Sequence, residues 1–432
     1  MKRLAVLLST VVLGTVVLLG QSAKPRPLEI YSIDTEGGKS TLYVSPSGQT
    51  VLVDTGSPGG RDTDRIMAAL ADAGVTQIDY LVSTHYHVDH VGGLQELAKR
   101  IPIAHFIDHG ITVEGPVTAL REQVPGFQAA YAELHAKAKH TVVKPGDRLP
   151  VTGLDWRIVT SAGDVLKTPL PGGGKPNPAC ANFKSTVDIA TWRDPEDDQS
   201  VGSVITLGQF RMIDLADLLW DKAVALMCPN NPVGTVDLYL VSGHGADACS
   251  AEPLVHTLRP RVAVMYNGTR KGGGVTAMQT VRLSPGLEDF WQLHWSYNGA
   301  LEQNSPGVFI ANLDDPSAIA GVLTAPPRGG GAAGAQAPPA APIPSTPPPT
   351  GAQAPAATAA QPPAATGGQP AAAAAAPQGR GRNPVAAHTP AYWIKISAEP
   401  DGTFTVSNSR NGFSKTYSRQ AAARSRPTTP AK

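Results

Sequence analysis

The hydrophobic pattern changes period several times along this chain. Leu28-Glu29-Ile30-Tyr31-Ser32-Ile33 alternates apolar and polar positions, as a half-buried strand does. Residues 41–44, a Pro46-Ser47-Gly48 turn and residues 50–54 then read as strand, turn, strand. From Asp62 the spacing lengthens. Ile66, Ala69, Leu70 and Ala73 share one face of a predicted helix, with Asp62 or Asp64 placed to cap its start and Gly74 suited to its end. Residues 80–83 predict a short buried strand. Residues 126–139 predict a second amphipathic helix, with Phe127, Ala130, Tyr131, Leu134 and Ala138 inward. A long Pro/Gly-rich loop covers 165–199, and loops of that length inside a domain are usually functional or disordered. Residues 201–207 and 210–215 predict a hairpin about Gly208, and 237–241 and 262–266 predict two more core strands. Strands alternating with helices and hairpins predict an α/β fold with a mixed sheet layered by helices.

The pattern then stops. Residues 325–388 hold 15 of the chain's 40 prolines, no acidic residue and almost no large apolar one, so they cannot bury enough surface to offset chain entropy. Alternation returns at 392–396 and 403–406 around Asp401-Gly402, a hairpin signal. A lone two-stranded hairpin is marginal in water, so this one is expected to dock on the main domain. The predicted organisation is a signal peptide over 1–23, a main domain over 24–324, a disordered insertion over 325–388, a docking hairpin over 389–418 and a disordered tail over 419–432.

Length and charge narrow the class. The chain has 432 residues and a formal net charge of +1, which argues against a general polyanion binder. Outside the Pro-rich stretch the composition is ordinary for a globular protein, which excludes a collagen, a wholly disordered chain and a polytopic membrane protein. Met1-Lys2-Arg3, an apolar run of 17 residues from Leu4 to Gly20 and Gln21-Ser22-Ala23 read as a secretory signal. The run is short for a span, which needs about 20 residues, so export to a periplasmic or secreted location without a membrane span is expected. Export would place Cys180, Cys228 and Cys249 in an oxidising space, where three cysteines allow one bridge of undetermined pairing.

The densest chemistry is Thr84-His85-Tyr86-His87-Val88-Asp89-His90, directly after a short apolar strand. In extended backbone, residues two apart point the same way, so His85 and His87 can hold one metal while Asp89 and His90, past the bend, face a second. Imidazole and carboxylate suit zinc, and less selectively iron or manganese.

This segment resembles the signature of the metallo-β-lactamase superfamily, and residues 27–313 and 390–418 most resemble the hydrolase domain of competence-type DNA-uptake channel proteins and their free-standing secreted relatives. The resemblance implies an αββα sandwich of two mixed sheets flanked by helices. It implies two divalent metal ions, zinc by ligand chemistry, held by His85, His87, Asp89, His90, Asp217 and His244. Asp217 lies in Phe210-Arg211-Met212-Ile213-Asp214-Leu215-Ala216-Asp217-Leu218 and matches the family's metal-bridging Asp. Ala216 replaces a usual Gly, so the turn is expected to avoid positive φ. Asp214 competes for the role but reads as an edge carboxylate facing solvent. His244, in Val241-Ser242-Gly243-His244-Gly245, matches the family's late His, and Asp54, in Val53-Asp54-Thr55-Gly56, matches a buried orienter of the metal loop. The third ligand of the first metal stays open between Asp197, with Asp198 beside it in Glu196-Asp197-Asp198-Gln199-Ser200, and His109. His105, His135, His140, His256, His294 and His388 carry no partner pattern and read as structural or exposed, with His135 and His140 at the polar side and end of a helix.

Two such cations lower the pKa of a bridging water and supply hydroxide at neutral pH, and they stabilise charge on the attacked oxygen. With Asp89 and Asp217 as its catalytic acids, the expected reaction is metal-assisted hydrolysis of a small-molecule or phosphodiester substrate, without a stable nucleic-acid complex. Arg259, Arg261, Arg270 and Lys271 favour an anionic substrate if they flank the metals. The alternatives are a lactamase or lactonase of the same fold, and a metal-stabilised envelope-binding module without catalysis.

Overall fold

The computed structural model describes residues 26–113, 124–192, 194–313 and 391–419. The signal segment, the Pro-rich stretch with His388 and the tail from residue 420 lie outside the described residues. Among the described residues the strands form two large mixed sheets of nine strands each and one short two-stranded ribbon, Lys175–Pro176 with Asn230–Asn231.

The first sheet runs, edge to edge, through Ser414–Tyr417, Phe404–Asn408, Ile394–Ala398, Leu28–Ser32, Thr41–Val44, Thr50–Val53, Tyr80–Val82, His105–Asp108 and Lys139–Val142. It is antiparallel from the C-terminal strands to Thr50–Val53 and parallel beyond. The main path of the second runs through Ile310–Asn312, Asp289–His294, Val262–Met265, Leu238–Leu240, Phe210–Asp214, Gly202–Leu207, Asp155–Ser161 and Arg148–Leu149. Its first five strands are parallel.

Side-chain alternation explains the layers. Leu28, Ile30, Val51, Val53 and Val82 share one core with Trp156, Ile158, Ile205, Met212, Leu240, Val264 and Trp291 of the second sheet. Tyr31, Leu42, Leu52, Leu81 and Phe106 point the other way, onto Ile66, Ala69 and Leu70 of helix Arg61–Asp72 and Leu97 of helix Leu94–Ala98. On the far side Val204, Ile213, Tyr239 and Ala263 pack against helices Trp220–Met227, Glu252–Leu258 and Val275–Arg282. The order of layers is helix, sheet, sheet, helix, the αββα arrangement expected.

Local expectations fared unevenly. The hairpin about Gly208 forms. Helix Arg61–Asp72 starts at Gly60 (φ 83°) with no side-chain cap, because Asp62 is turned back to accept from Ser57 N at 2.7 Å. The second predicted helix stops at His135, and His140 lies on strand Lys139–Val142 instead of at a helix end. Parallel pairing with His105–Asp108 overrides the local helical period there. Asp214 does not face solvent. It accepts from Lys39 Nζ at 2.6 and 2.7 Å and from Tyr43 Oη at 3.2 Å, and the Lys39 side chain is fully buried. Lys39 follows the first strand of one sheet and Asp214 ends a strand of the other, so this ion pair ties the sheets together.

The C-terminal strands complete the first sheet. Ile394–Ala398 pairs antiparallel with Leu28–Ser32, and Tyr417 Oη accepts from Trp291 Nε1 at 3.0 Å and donates to Asp289 at 2.7 Å. Ile394, Ile396, Phe404, Val406 and Tyr417 are all buried. Burying five such side chains stabilises by about 10 kcal/mol, comparable with the whole stability of a domain. Truncation after residue 388 is therefore expected to abolish the cooperative melting transition, and calorimetry finding it at an unchanged temperature would contradict this. Lys39→Met strands a buried carboxylate and is expected to lower stability in urea by about 3 kcal/mol; a loss below about 1 kcal/mol would show the pair to be dispensable.

Candidate metal centre

The candidate site stands where strands of both sheets end. Asp54 follows Thr50–Val53, the 84–90 segment follows Tyr80–Val82, Asp217 follows Phe210–Asp214 and His244 follows Leu238–Leu240. Ligands in α/β sheets gather outside the carboxyl ends of strands for this reason: the chain must turn there, leaving a crevice lined by turns. The turns are sharp. Asp54 (φ 61°), Ala216 (φ 49°) and His244 (φ 56°) all sit in the left-handed region, which costs a non-glycine residue roughly 1 kcal/mol or more. Ala216 was expected to avoid it. Its conformation is held instead by three hydrogen bonds, from Ala216 N to Asp214 Oδ1 and to its carbonyl from Gly243 N and Tyr266 Oη.

Three overlapping groups of donor atoms result, each with its members within 4.8 Å of one another: His85, His87 and Asp197; His85, His90 and Asp217; Asp89, His90 and His244. In the first, Asp197 Oδ1 lies 3.2 Å from His87 Nδ1 and 3.6 Å from His85 Nε2. In the others, Asp217 Oδ2 lies 2.8 Å from His244 Nε2 and 3.4 Å from His90 Nε2, and Asp89 Oδ2 lies 3.4 and 3.5 Å from the same nitrogens. His90 Nε2 and His244 Nε2 are buried, and no group among the described residues is aligned to hydrogen-bond either, although carboxylate oxygens stand 2.8–3.5 Å away. Imidazoles and carboxylates converging in this way are the donor set that divalent cations such as zinc take, and the residues present fit such ions.

A surrounding set of hydrogen bonds aims these donors. Asp54 Oδ2 lies 2.8 Å from His90 Nδ1, and the Asp54 carboxylate also accepts from Thr84 N and Thr84 Oγ1 at 2.8 and 2.7 Å. With its Nδ1 engaged, His90 presents Nε2 to the site. Thr84 Oγ1 lies 3.1 Å from His85 Nδ1, and the Tyr266 carbonyl 3.4 Å from His244 Nδ1. Asp194, which sequence reasoning missed, stands 3.2 Å from His87 Nε2; its only signal was an Asp-Pro step just before Glu196.

The electrostatics follow from crowding. Burial and the neighbouring His90 and His87 push His85 well down. Burial also opposes the charged form of His90, but Asp217, Asp54 and Asp89 outweigh it and raise its pKa to about 10. Against burial, Asp197 and Asp194 hold His87 well above its ordinary value. Burial would raise Asp89 and Asp217, but Lys271 and His90 hold the first low, and His244 and His90 the second. Cation loading must displace the protons that His87 and His90 hold.

Other candidates stand apart. His109 donates no ligand atom to these groups. It is buried against Glu196, 2.9 Å away, and Glu196 also accepts from Tyr86 N, Thr112 Oγ1 and Val113 N. That network anchors the loop carrying Asp197. Asp198 joins none of the groups. Of the four cations considered, Arg259 ends a helix, Arg261 pairs with Glu288 and Asp237, and Arg270 stacks over Tyr297; only Lys271 reaches the site, contacting Asp89. Cys180 and Cys228 form a disulfide that ties the long loop to the end of helix Trp220–Met227, and Cys249 is a buried free thiol.

Residues 34–178 match the family model of the metallo-β-lactamase superfamily. A "Beta-lactamase-like protein 2 homolog" of Caenorhabditis elegans is 28% identical over 138 residues, covering 27% of this chain and 44% of that protein. A hydroxyacylglutathione hydrolase of Klebsiella pneumoniae is 29% identical over 120 residues, covering 28% of this chain and 37% of that protein. The matches thus span less than half the length of these curated relatives. A crystal structure of a diphosphatase from the PhnP family aligns over 60% of this chain and 94% of its own, at 12% identity and a TM-score of 0.33, a likeness too loose to argue from. Residues 34–178 are thus similar to the metallo-β-lactamase superfamily, and the αββα architecture encloses them.

Proposed function

We propose that this chain is an exported hydrolase dependent on two divalent metal ions and acting on phosphodiester-type substrates. The observation that carries the metal reading is the set of buried imidazole nitrogens at His90 and His244, which face carboxylate oxygens without a hydrogen bond. His85, His87 and Asp197 would hold one ion, Asp89, His90 and His244 the other, with Asp217 reaching both groups. When bound there, such ions would supply Lewis acidity toward an attacked oxygen and a more nucleophilic water near neutral pH.

The chain's own residues do the positioning. Asp54 and Thr84 set the orientation of His90 and His85, and the Tyr266 carbonyl that of His244. Asp194 steadies His87 from the outer side. The resemblance to uptake-channel hydrolase domains favours a phosphodiester, and one cation at the rim, Lys271, suits a substrate group of single negative charge. Export is supported by the cationic and apolar N-terminal pattern and by the disulfide. A second reading, hydrolysis of an acyl substrate such as a thioester, lactam or lactone, is favoured by the similarity to hydroxyacylglutathione hydrolases.

Purified protein loaded with zinc or manganese is expected to cleave bis-p-nitrophenyl phosphate. Chelation or His87→Ala is expected to lower the rate at least about 100-fold, the scale seen when a metal site is disabled. Turnover of nitrocefin, a lactone or S-lactoylglutathione with none on the phosphodiester would replace this reading by the acyl one. Metal uptake without turnover of any of them would leave a binding module.

A further inference from the structure

Among the described residues, Lys271 is the lysine whose ion pair falls on a member of the three overlapping donor groups; Arg65 pairs instead with Asp34 and Glu36 of a separate cluster with His294. The Lys271 ammonium contacts Asp89 Oδ2, the oxygen that also faces His90 Nε2 and His244 Nε2. No lysine or arginine pairs with Asp197 or Asp217 among the described residues. The two metal groups are thus unequal: one has a protein cation already seated on its carboxylate.

The placement is built in. Gly273 N donates to His244 O at 2.9 Å and Gly274 N to Gly245 O at 2.8 Å, so the loop carrying Lys271 hangs from the backbone of the His244 turn. Gly268 N donates to Lys271 O at 2.9 Å, and Asn298 Nδ2 donates to the carbonyls of Arg270 and Gly272. Gly272 (φ 70°) has no room for a side chain, since a Cβ would lie 1.9 Å from His244 O. On the other side, Gly37 (φ 86°) lets the backbone approach so closely that its own Cβ would lie 2.9 Å from Lys271 Cβ. The base of Lys271 is clamped between two loops, and its side chain is 38% exposed, so its tip can swing off Asp89 into the mouth of the site.

We propose that Lys271 is a tethered cation that competes with a metal ion for Asp89. The chain then fills its first site, at His85, His87 and Asp197, tightly, and its second, at Asp89, His90 and His244, only when metal is plentiful. Entry of the second ion must break the Lys271–Asp89 pair and leave an ammonium beside a divalent charge; the first ion meets neither cost. The dinuclear state becomes a response to metal supply. This rests on the metal-centre reading but not on the choice of substrate.

The test is a zinc titration of the full chain by calorimetry with a competing chelator, on the natural protein, Lys271→Gln and Lys271→Arg. The natural protein is expected to take up zinc in two steps, the second weaker. Lys271→Gln keeps the first step and tightens the second at least about tenfold, the effect of removing one like charge at this range. Lys271→Arg, which keeps the charge, stays within a few-fold of the natural protein. An unchanged second step in Lys271→Gln, or equal tightening in Lys271→Arg, overturns the proposal while leaving the metal centre standing. Absence of any tight first step in the natural protein would bring down the metal-centre reading and this proposal with it.

Discussion

The structure has to keep four carboxylates, Asp54, Asp89, Asp197 and Asp217, within one largely buried region, and this constraint shapes what surrounds them. Buried charges of like sign repel and lose hydration, so each must be met by a donor or a cation. Asp54 is met by Thr84 and His90, Asp89 by Lys271 with His90 and His244 nearby, and Asp197 and Asp217 by imidazoles. Asp214, close by in sequence, has its own buried lysine. The carboxylates come from strand ends of both sheets and from the loop before Gly202–Leu207, so none can be relieved by moving its neighbour in sequence. Close packing of two sheets therefore becomes a condition for the site, and the Lys39–Asp214 pair stands at the junction of the two.

Backbone strain enters for the same reason. Three residues beside or within the donor groups lie in the left-handed region although none is glycine. Each is over-determined by hydrogen bonds or packing: Asp54 through Thr84 and His90, Ala216 through Gly243 and Tyr266, His244 through Tyr266 and Gly273. Strain of this kind persists only where the surroundings supply more than its cost, and here they are the turns that aim the donors.

Much of this was legible in the sequence because it is local. His85, His87, Asp89 and His90 occupy one turn after an apolar strand, and period and residue type suffice to read them. Asp217 and His244 were singled out only through the family resemblance, since an acid or a histidine after an apolar run is by itself an ordinary loop residue. What could not be read depends on distant pairing. Nothing near Asp214 announces Lys39, 175 residues away, so a buried pair looked like a solvated edge. His109 and Asp197 were equal candidates until Glu196 took up the histidine in a buried network. Asp194 reaches His87 only through the path of the long loop. Helix capping by Asp62 failed because the turn at Gly60 points its carboxylate back to Ser57.

The pairing of Leu28–Ser32 with Ile394–Ala398 joins positions more than 360 residues apart in a single ladder. Loop closure over such a distance grows only logarithmically in entropic cost, but contacts this remote are slow to find. On a ribosome, the first strand would wait with one edge bare until residues 394–398 emerge. An uncovered strand edge is a template for pairing with other chains. The architecture thus places a period of vulnerability to self-association early in the life of each molecule, ended only when Ile394–Ala398 emerges to cover that edge.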